Sequence, residues 1–135
     1  MYKKLSDIDF SHFIGQKVTE VKSEAGLLLG VFFEKGVLII ECPWRLRDMQ
    51  QIIKGYSDCK QWSRLLLRES LEKQIKGKRI VSIQHYENTS DFVLELEEDL
   101  FLELFHDSNM FEGWQLQGEQ GWLVVSLPGG SYTEF

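Results

Sequence analysis

The sequence predicts an α+β fold made mainly of antiparallel strands, with one longer helix near the middle of the chain. Apolar and polar residues alternate over many short segments, which is the period of a half-buried strand. Turn-forming Gly, Asn and Asp residues separate these segments at the spacing of hairpins. Residues 58–76 instead carry two rows of apolar side chains at helical spacing: Trp62, Leu65 and Leu66, and Leu67, Leu71 and Ile75.

The first half of the chain predicts a short helix followed by strands. Residues 6–14 favour the helix, because Ser6 can cap it and Phe10 and Phe13 share a face. Glu34-Lys35-Gly36 is typical of a tight hairpin. Pro43 lacks a backbone N–H, so the strand before it must end, bulge or lie at a sheet edge. Strands are predicted at 17–22, 27–33, 37–42 and 50–55.

The second half predicts a similar series. Ser57 and Asp58 are expected to cap the central helix. Glu98-Asp99 forms the tip of a hairpin in which Leu alternates with Glu and Phe. The tail from Pro128 onward is expected to fray. Strands are predicted at 79–85, 92–97, 100–105, 114–117 and 122–127.

The two halves match each other as patterns, which predicts an internal duplication in a single domain, residues 1–135. Residues 14–21 parallel 76–83 at an offset of 62, and Leu29, Val31 and Phe33 parallel Phe92, Leu94 and Leu96 at an offset of 63. The units would be pseudo-repeat 1 at about 6–57, the linking helix at about 58–76 and pseudo-repeat 2 at about 77–128. Two such helix-plus-meander units could form a sandwich or one curved sheet.

Composition restricts the class of protein. The 135 residues are 43% hydrophobic, which is enough for one core. No apolar run is long enough to span a bilayer, and the N-terminus turns acidic where a signal peptide would be apolar. Cys42 and Cys59 do not make a disulfide framework, so a reduced, cytoplasmic protein without membrane contact is expected.

Charge is distributed unequally between the halves. Residues 1–80 carry 15 basic and 10 acidic side chains, whereas residues 81–135 carry 11 acidic side chains and no basic one. Such asymmetry favours an acidic recognition face, although a merely solvated Glu-rich face is equally consistent with it. Like charges on neighbouring strands cost stability, so a cationic partner would explain them better. The candidate protein-binding residues are Glu95, Glu97, Glu98, Asp99 and Glu103.

The corner Cys42-Pro43-Trp44-Arg45-Leu46-Arg47-Asp48 is the most distinctive local feature. In one interpretation Arg45 and Arg47 hold an anionic ligand, with Trp44 as a stacking wall. In the other, which is favoured, Trp44 plugs the end of the core. One of the arginines then pairs with Glu41, Asp48 or an acidic strand.

Other chemistry has little support. His106-Asp107-Ser108 contains triad residue types but no nucleophile-elbow motif, so no catalytic residue is assigned. Cys42, Cys59, His85 and His106 lack metal-ligand spacing, and the glycines form no phosphate-binding loop, so no metal or cofactor is predicted. Nucleic-acid binding is not expected, because the acidic second half would repel phosphates.

The I-x-C-P-W-R-L-R corner, its preceding hairpin and the later Leu/Glu copy resemble a family of small bacterial proteins of unknown function, over about residues 14–130. That resemblance implies a duplicated, β-rich bacterial domain and transfers no catalytic residue. In general character the chain is also similar to immunity proteins of bacterial toxin systems, which are small and acidic and often block a basic nuclease.

The expected function is therefore a non-enzymatic protein-interaction domain with a basic partner, immunity-type in its sharpest version. The alternatives are an anionic-ligand binder or enzyme at the Trp44, Arg45, Arg47 corner, and a homodimer through an apolar patch with Trp114 and Trp122.

Overall fold

The computed structural model describes residues 4–23, 29–60 and 63–135. In these ranges it is mostly antiparallel β structure with one α-helix, so the predicted α+β class is confirmed. Short 3₁₀ turns lie at Ser11–Phe13, Tyr56–Lys60, Glu119–Gly121 and Pro128–Gly130. The longer elements are β1 (Val18–Ser23), β2 (Leu29–Phe33), β3 (Gly36–Ile40), β4 (Trp44–Arg47), β5 (Ile52–Gly55), α1 (Arg64–Ile75), β6 (Ile80–His85), β7 (Phe92–Leu96), β8 (Leu100–Leu104), β9 (Trp114–Gln117), β10 (Leu123–Ser126) and β11 (Tyr132–Glu134).

The described strands form two sheets, and each sheet combines both halves of the chain. The six-stranded sheet has the order β1-β2-β3-β9-β10-β11, and the five-stranded sheet has the order β5-β4-β8-β7-β6. In the six-stranded sheet, the meander β1-β2-β3 from the first half pairs through β3 with β9 from the second half. In the five-stranded sheet, the meander β6-β7-β8 from the second half pairs through β8 with β4 from the first half. β3 begins at Gly36, where β9 lies so close that a Cβ would collide with the Gln117 carbonyl oxygen. Glycine, which has no Cβ, avoids this collision.

The first strands of the two meanders are joined at an isolated bridge between Lys17 and Arg79. Four backbone hydrogen bonds surround it: Gly15 N–H to Ile80 O (2.8 Å), Gly77 N–H to Val18 O (2.8 Å), Val18 N–H to Lys78 O (2.9 Å) and Ile80 N–H to Gln16 O (2.9 Å). Each bond has a counterpart shifted by 62 residues. Glu34 and Glu97 likewise accept from the backbone N–H groups of Lys17 and Arg79.

Both sheets direct alternate side chains into one core. Val31, Leu38 and Leu116 come from the six-stranded sheet, and Leu94 and Leu102 from the five-stranded one, all with no exposed surface. The alternation seen in the sequence is therefore the in–out alternation of strands that have one face on a core.

Helix α1 lies beside β1 and supplies side chains to its backbone. Ser63 caps the helix by accepting from the Leu66 N–H at 3.2 Å. Glu72 then accepts from the Val21 N–H (2.8 Å), and Arg68 donates to the Val21 carbonyl oxygen (2.7 Å). These side chains take the place of a further strand, which protects a sheet edge from pairing with another chain.

Several local predictions were wrong. Residues 6–14 do not form a helix beyond the Ser11–Phe13 turn, and Leu5 instead pairs with Tyr86. The central helix begins at Arg64 with Ser63 as its cap, so Ser57 and Asp58 are not its cap; Trp62 lies outside the described residues. The tail does not fray, because β11 pairs with β10. The polar sequence of the tail gave no indication of this backbone pairing.

Candidate binding face

The candidate acidic residues and the two arginines of the corner lie on the five-stranded sheet. Because β4 pairs with β8, Arg45 is opposite Glu103 and Arg47 is opposite Phe101. On the other side of β8, β7 pairs Glu95 with Phe101. We call the outer surface of this sheet the charged face; it comprises Arg45, Arg47, Ser82, Gln84, Val93, Glu95, Phe101, Glu103 and Phe105.

Glu103 is the centre of an ion cluster on the charged face. Its Oε1 lies 2.5 Å from Arg45 Nε and 3.0 Å from Arg47 Nε. The Glu103 side chain retains only 11% exposure, whereas the Arg45 and Arg47 side chains keep 40% and 32%. The arginines therefore cover the carboxylate while their outer edges stay in contact with solvent.

Two aromatic rings support the guanidinium groups. Arg45 lies 5.0 Å from the centre of the Phe105 ring, and Arg47 lies 4.5 Å from the centre of the Phe101 ring. Both distances are within the range of a cation–π contact. The rings and the shared carboxylate fix the two cations side by side.

A cavity of about 230 Å³ opens next to this cluster. Its polar lining includes Arg45, Arg47, Gln84, Tyr86 and Asp91. It is smaller than the usual pocket for a cofactor or drug-sized ligand, about 300–1,000 Å³. Its size suits a small anion or a single side chain.

The acidic hairpin tip, which we define as Glu97, Glu98 and Asp99, projects from one end of the same sheet. All three residues are exposed. Glu98 and Asp99 have φ angles of 66° and 57°, in the left-handed region. Glu98 pairs with Lys78 Nζ at 2.7 Å, so part of the tip's charge is balanced within the chain.

The predicted acidic residues and Trp44 thus differ in exposure. The acidic tip is exposed, and Glu95 is half-buried and accepts from the Ser82 hydroxyl at 3.0 Å. Glu103 is buried and paired, so it does not extend the bare acidic surface. Trp44 is 5% exposed and lies in the core, so it cannot stack on a ligand at the charged face.

Phe101 and Phe105 hold the positions expected of Trp44 as an aromatic wall. The sequence reasoning missed them and the cavity residues Gln84, Tyr86 and Asp91. Strand alternation alone puts Phe101, Glu103 and Phe105 on one side of the chain. It does not reveal that β4 is the neighbouring strand.

Of the two tryptophans predicted to form an apolar homodimer patch, Trp114 is buried and Trp122 is only partly exposed. Trp114 has no exposed surface and donates its Nε1–H to the Ser90 carbonyl oxygen at 2.9 Å. Trp122 is half-buried against Phe10 and Phe13. Homodimer formation itself stays a prediction without a surface assigned to it.

Outside the face, His85 and Cys42 are buried and His106 is half-buried. Burial lowers the pKa of His85 to about 4, and its ring nitrogens bond to Ser6 and Ser90 hydroxyls at 2.8 and 3.1 Å. Burial raises the pKa of the Cys42 thiol to about 12, which disfavours the reactive thiolate. His106 bonds to the Ser126 hydroxyl and the Phe111 carbonyl oxygen.

Within the described residues, no three His, Cys, Asp or Glu side chains converge as metal ligands, and no helix is both long and apolar enough to cross a membrane. In comparisons with known proteins, no family model matches the chain, and no similar curated protein or solved structure was found. The resemblance of the Pro43 corner to a bacterial family stays a prediction.

Proposed function

We propose that this chain is a non-enzymatic protein-interaction domain that binds a basic partner through the acidic hairpin tip and the adjoining charged face. Neutralisation of a bacterial toxin, the immunity-type role, is the most specific version of this proposal. A cytoplasmic location is part of that version.

The backbone of the acidic hairpin tip is the observation that carries the proposal. Residues other than glycine in the left-handed region cost about 1–2 kcal/mol each, and Asn and Asp tolerate it better than Glu does. Glu98 and Asp99 both adopt it, at the place where three like charges are consecutive. Strain of this kind is concentrated at functional sites. A partner that supplies cations would offset the repulsion between these carboxylates.

The composition of the charged face also supports recognition. Arginine and aromatic residues are enriched in protein interfaces and among the residues that dominate binding energy. Here Arg45, Arg47, Phe101 and Phe105 are held together by contacts within the chain. Residues fixed before binding lose less side-chain entropy on association, so less of the binding energy is lost.

A charge-neutralising variant tests the proposal. Glu97→Gln, Glu98→Gln and Asp99→Asn remove three charges while keeping hydrogen-bonding groups and, at 99, a residue suited to positive φ. The matched control Glu112→Gln, Glu119→Gln and Glu134→Gln removes three exposed charges elsewhere. A partner identified with the wild-type chain should lose at least about tenfold affinity for the tip variant only. Equal losses for both variants would leave the tip without a role.

We also propose that the fold arose by internal duplication. Support comes from the four backbone bonds around Lys17 and Arg79, which recur at an offset of 62 residues. The meanders β1-β2-β3 and β6-β7-β8 are followed by strands that start with Trp44 and Trp114, and each of these strands joins the opposite meander. If each half is an ancestral unit, a chain of two identical first halves should give a folded protein with a cooperative thermal transition.

A further inference from the structure

We propose that the cavity of the charged face binds a carboxylate group between Arg45 and Arg47, and that this carboxylate is an Asp or Glu side chain of the partner. The identity of the partner group rests on the proposed function, whereas carboxylate binding does not. The partner would then carry an acidic residue at the cavity and basic residues opposite the acidic hairpin tip.

The hydrogen-bonding capacity of the cluster supports an additional anion. Each guanidinium presents five N–H donors in a planar fork. The closest approach of both arginines to Glu103 is through Nε and a single oxygen, Oε1. Arg47 Nη1 also donates to the Asp48 carbonyl oxygen at 3.1 Å. One carboxylate cannot accept from all these donors, so the outer edges of the forks can bind a second acceptor.

The charge of the cavity favours a monoanion. Two guanidinium groups and two carboxylates, those of Glu103 and Asp91, line the cavity, so its net charge is zero. A carboxylate would add one negative charge to this balance, whereas a phosphate dianion would add two. Planar guanidinium groups match the two oxygens of a carboxylate, and the bidentate pair adds directional specificity.

The position of the cavity explains how the domain could orient its partner. The cations of β4 and the acidic hairpin tip after β7 lie on one sheet, with β8 between their strands. A partner with charges of one sign could neutralise either the β4 arginines or the acidic hairpin tip, but not both. Complementary charges of both signs fix the register of a complex and disfavour other partners.

Acetate provides a probe of the carboxylate site that needs no partner. Titrated at constant ionic strength against chloride, it should shift the ¹H–¹⁵N signals of Arg45 and Arg47 Nε with saturation on the order of 10 mM. The shift should disappear in Arg47→Gln and weaken in Arg45→Lys, which keeps the charge but loses the fork. It should persist in Glu97→Gln/Glu98→Gln/Asp99→Asn. Acetate shifts no larger than those of chloride, or unchanged in both arginine variants, would overturn the site.

A pair of peptides tests the source of the carboxylate. One contains a single Glu among Lys residues, and its control has Gln in that position. The Glu peptide should bind about tenfold more tightly than the control, and this difference should vanish in Arg47→Gln. Equal affinities would overturn the assignment to a protein side chain. If the tip variant loses partner affinity while acetate fails to bind, the proposed function holds and this inference is wrong. If acetate binds while the tip variant keeps its partner affinity, only the proposed function is rejected.

Discussion

Replacement of Glu103 by Gln should destabilise the protein by about 2 kcal/mol. The change leaves the side-chain volume nearly constant but removes the carboxylate that lies within 3.0 Å of both Arg45 Nε and Arg47 Nε. Breaking a fully buried ion pair costs about 3–5 kcal/mol, and an exposed pair contributes at most about 1. Glu103 is buried while its partners are 40% and 32% exposed, so an intermediate value follows.

Urea unfolding at pH 7 measures this loss, and for a domain of this length it corresponds to a drop of about 6 °C in Tm. Glu95→Gln is the matched control. It lies one strand away on the same face and makes a hydrogen bond to Ser82 that a glutamine can replace. The control should change stability by less than about 0.5 kcal/mol. If Glu103→Gln is no more destabilising than Glu95→Gln, the ion cluster does not hold β4 to β8.

Three other predictions concern backbone strain and pH. Glu98→Asn should raise the unfolding free energy by about 0.5 kcal/mol, because Asn tolerates φ of 66°; a loss in urea unfolding would contradict the strain argument. Burial lowers the pKa of His85 to about 4, so the contribution of neutral His85 to the unfolding free energy is fully present above about pH 6.5. It is lost, by up to about 3 kcal/mol, as the pH drops towards 4. The His85 ring signal in NMR should titrate near pH 4, and titration near 6.5 would refute its burial. The Val21 N–H bond lowers the pKa of Glu72, so its contribution is present above about pH 4.5 and lost on further acidification. Below about pH 4.5, the unfolding free energy of Glu72→Gln should fall less steeply with decreasing pH than that of the wild type. An equally steep fall in both proteins would contradict that role of Glu72.

Much of the fold follows from local patterns. The alternation in Phe92, Leu94 and Leu96 predicted β7 and the side it buries, and the hairpin of Glu34-Lys35-Gly36 was predicted from its turn residues. Tertiary pairing could not be read in this way. Pairing of β4 with β8 joins residues 58 positions apart, and nothing in either strand specifies its neighbour.

The candidate site was therefore predicted only in pieces. The charge asymmetry between the halves suggested a continuous acidic surface that included Glu103. Because the halves share both sheets, cations of the first half lie against anions of the second. The favoured interpretation of the corner predicted that an arginine pairs with an acidic residue, in an acidic strand or beside it in the sequence. The sequence did not identify that strand as β8, and it did not show that both arginines share one carboxylate.

The most direct test of the central claim is salt-dependent capture with matched variants. Wild-type chain, the Glu97→Gln/Glu98→Gln/Asp99→Asn variant and the Glu112→Gln/Glu119→Gln/Glu134→Gln variant would each be immobilised and exposed to lysate of the native organism. Mass spectrometry would identify retained proteins, and their affinities would be measured with purified components. We predict a basic protein that binds wild type and the control variant, releases at high salt, and loses binding to the tip variant. Retention of the same partner by all three chains with equal affinity would contradict recognition through the acidic hairpin tip.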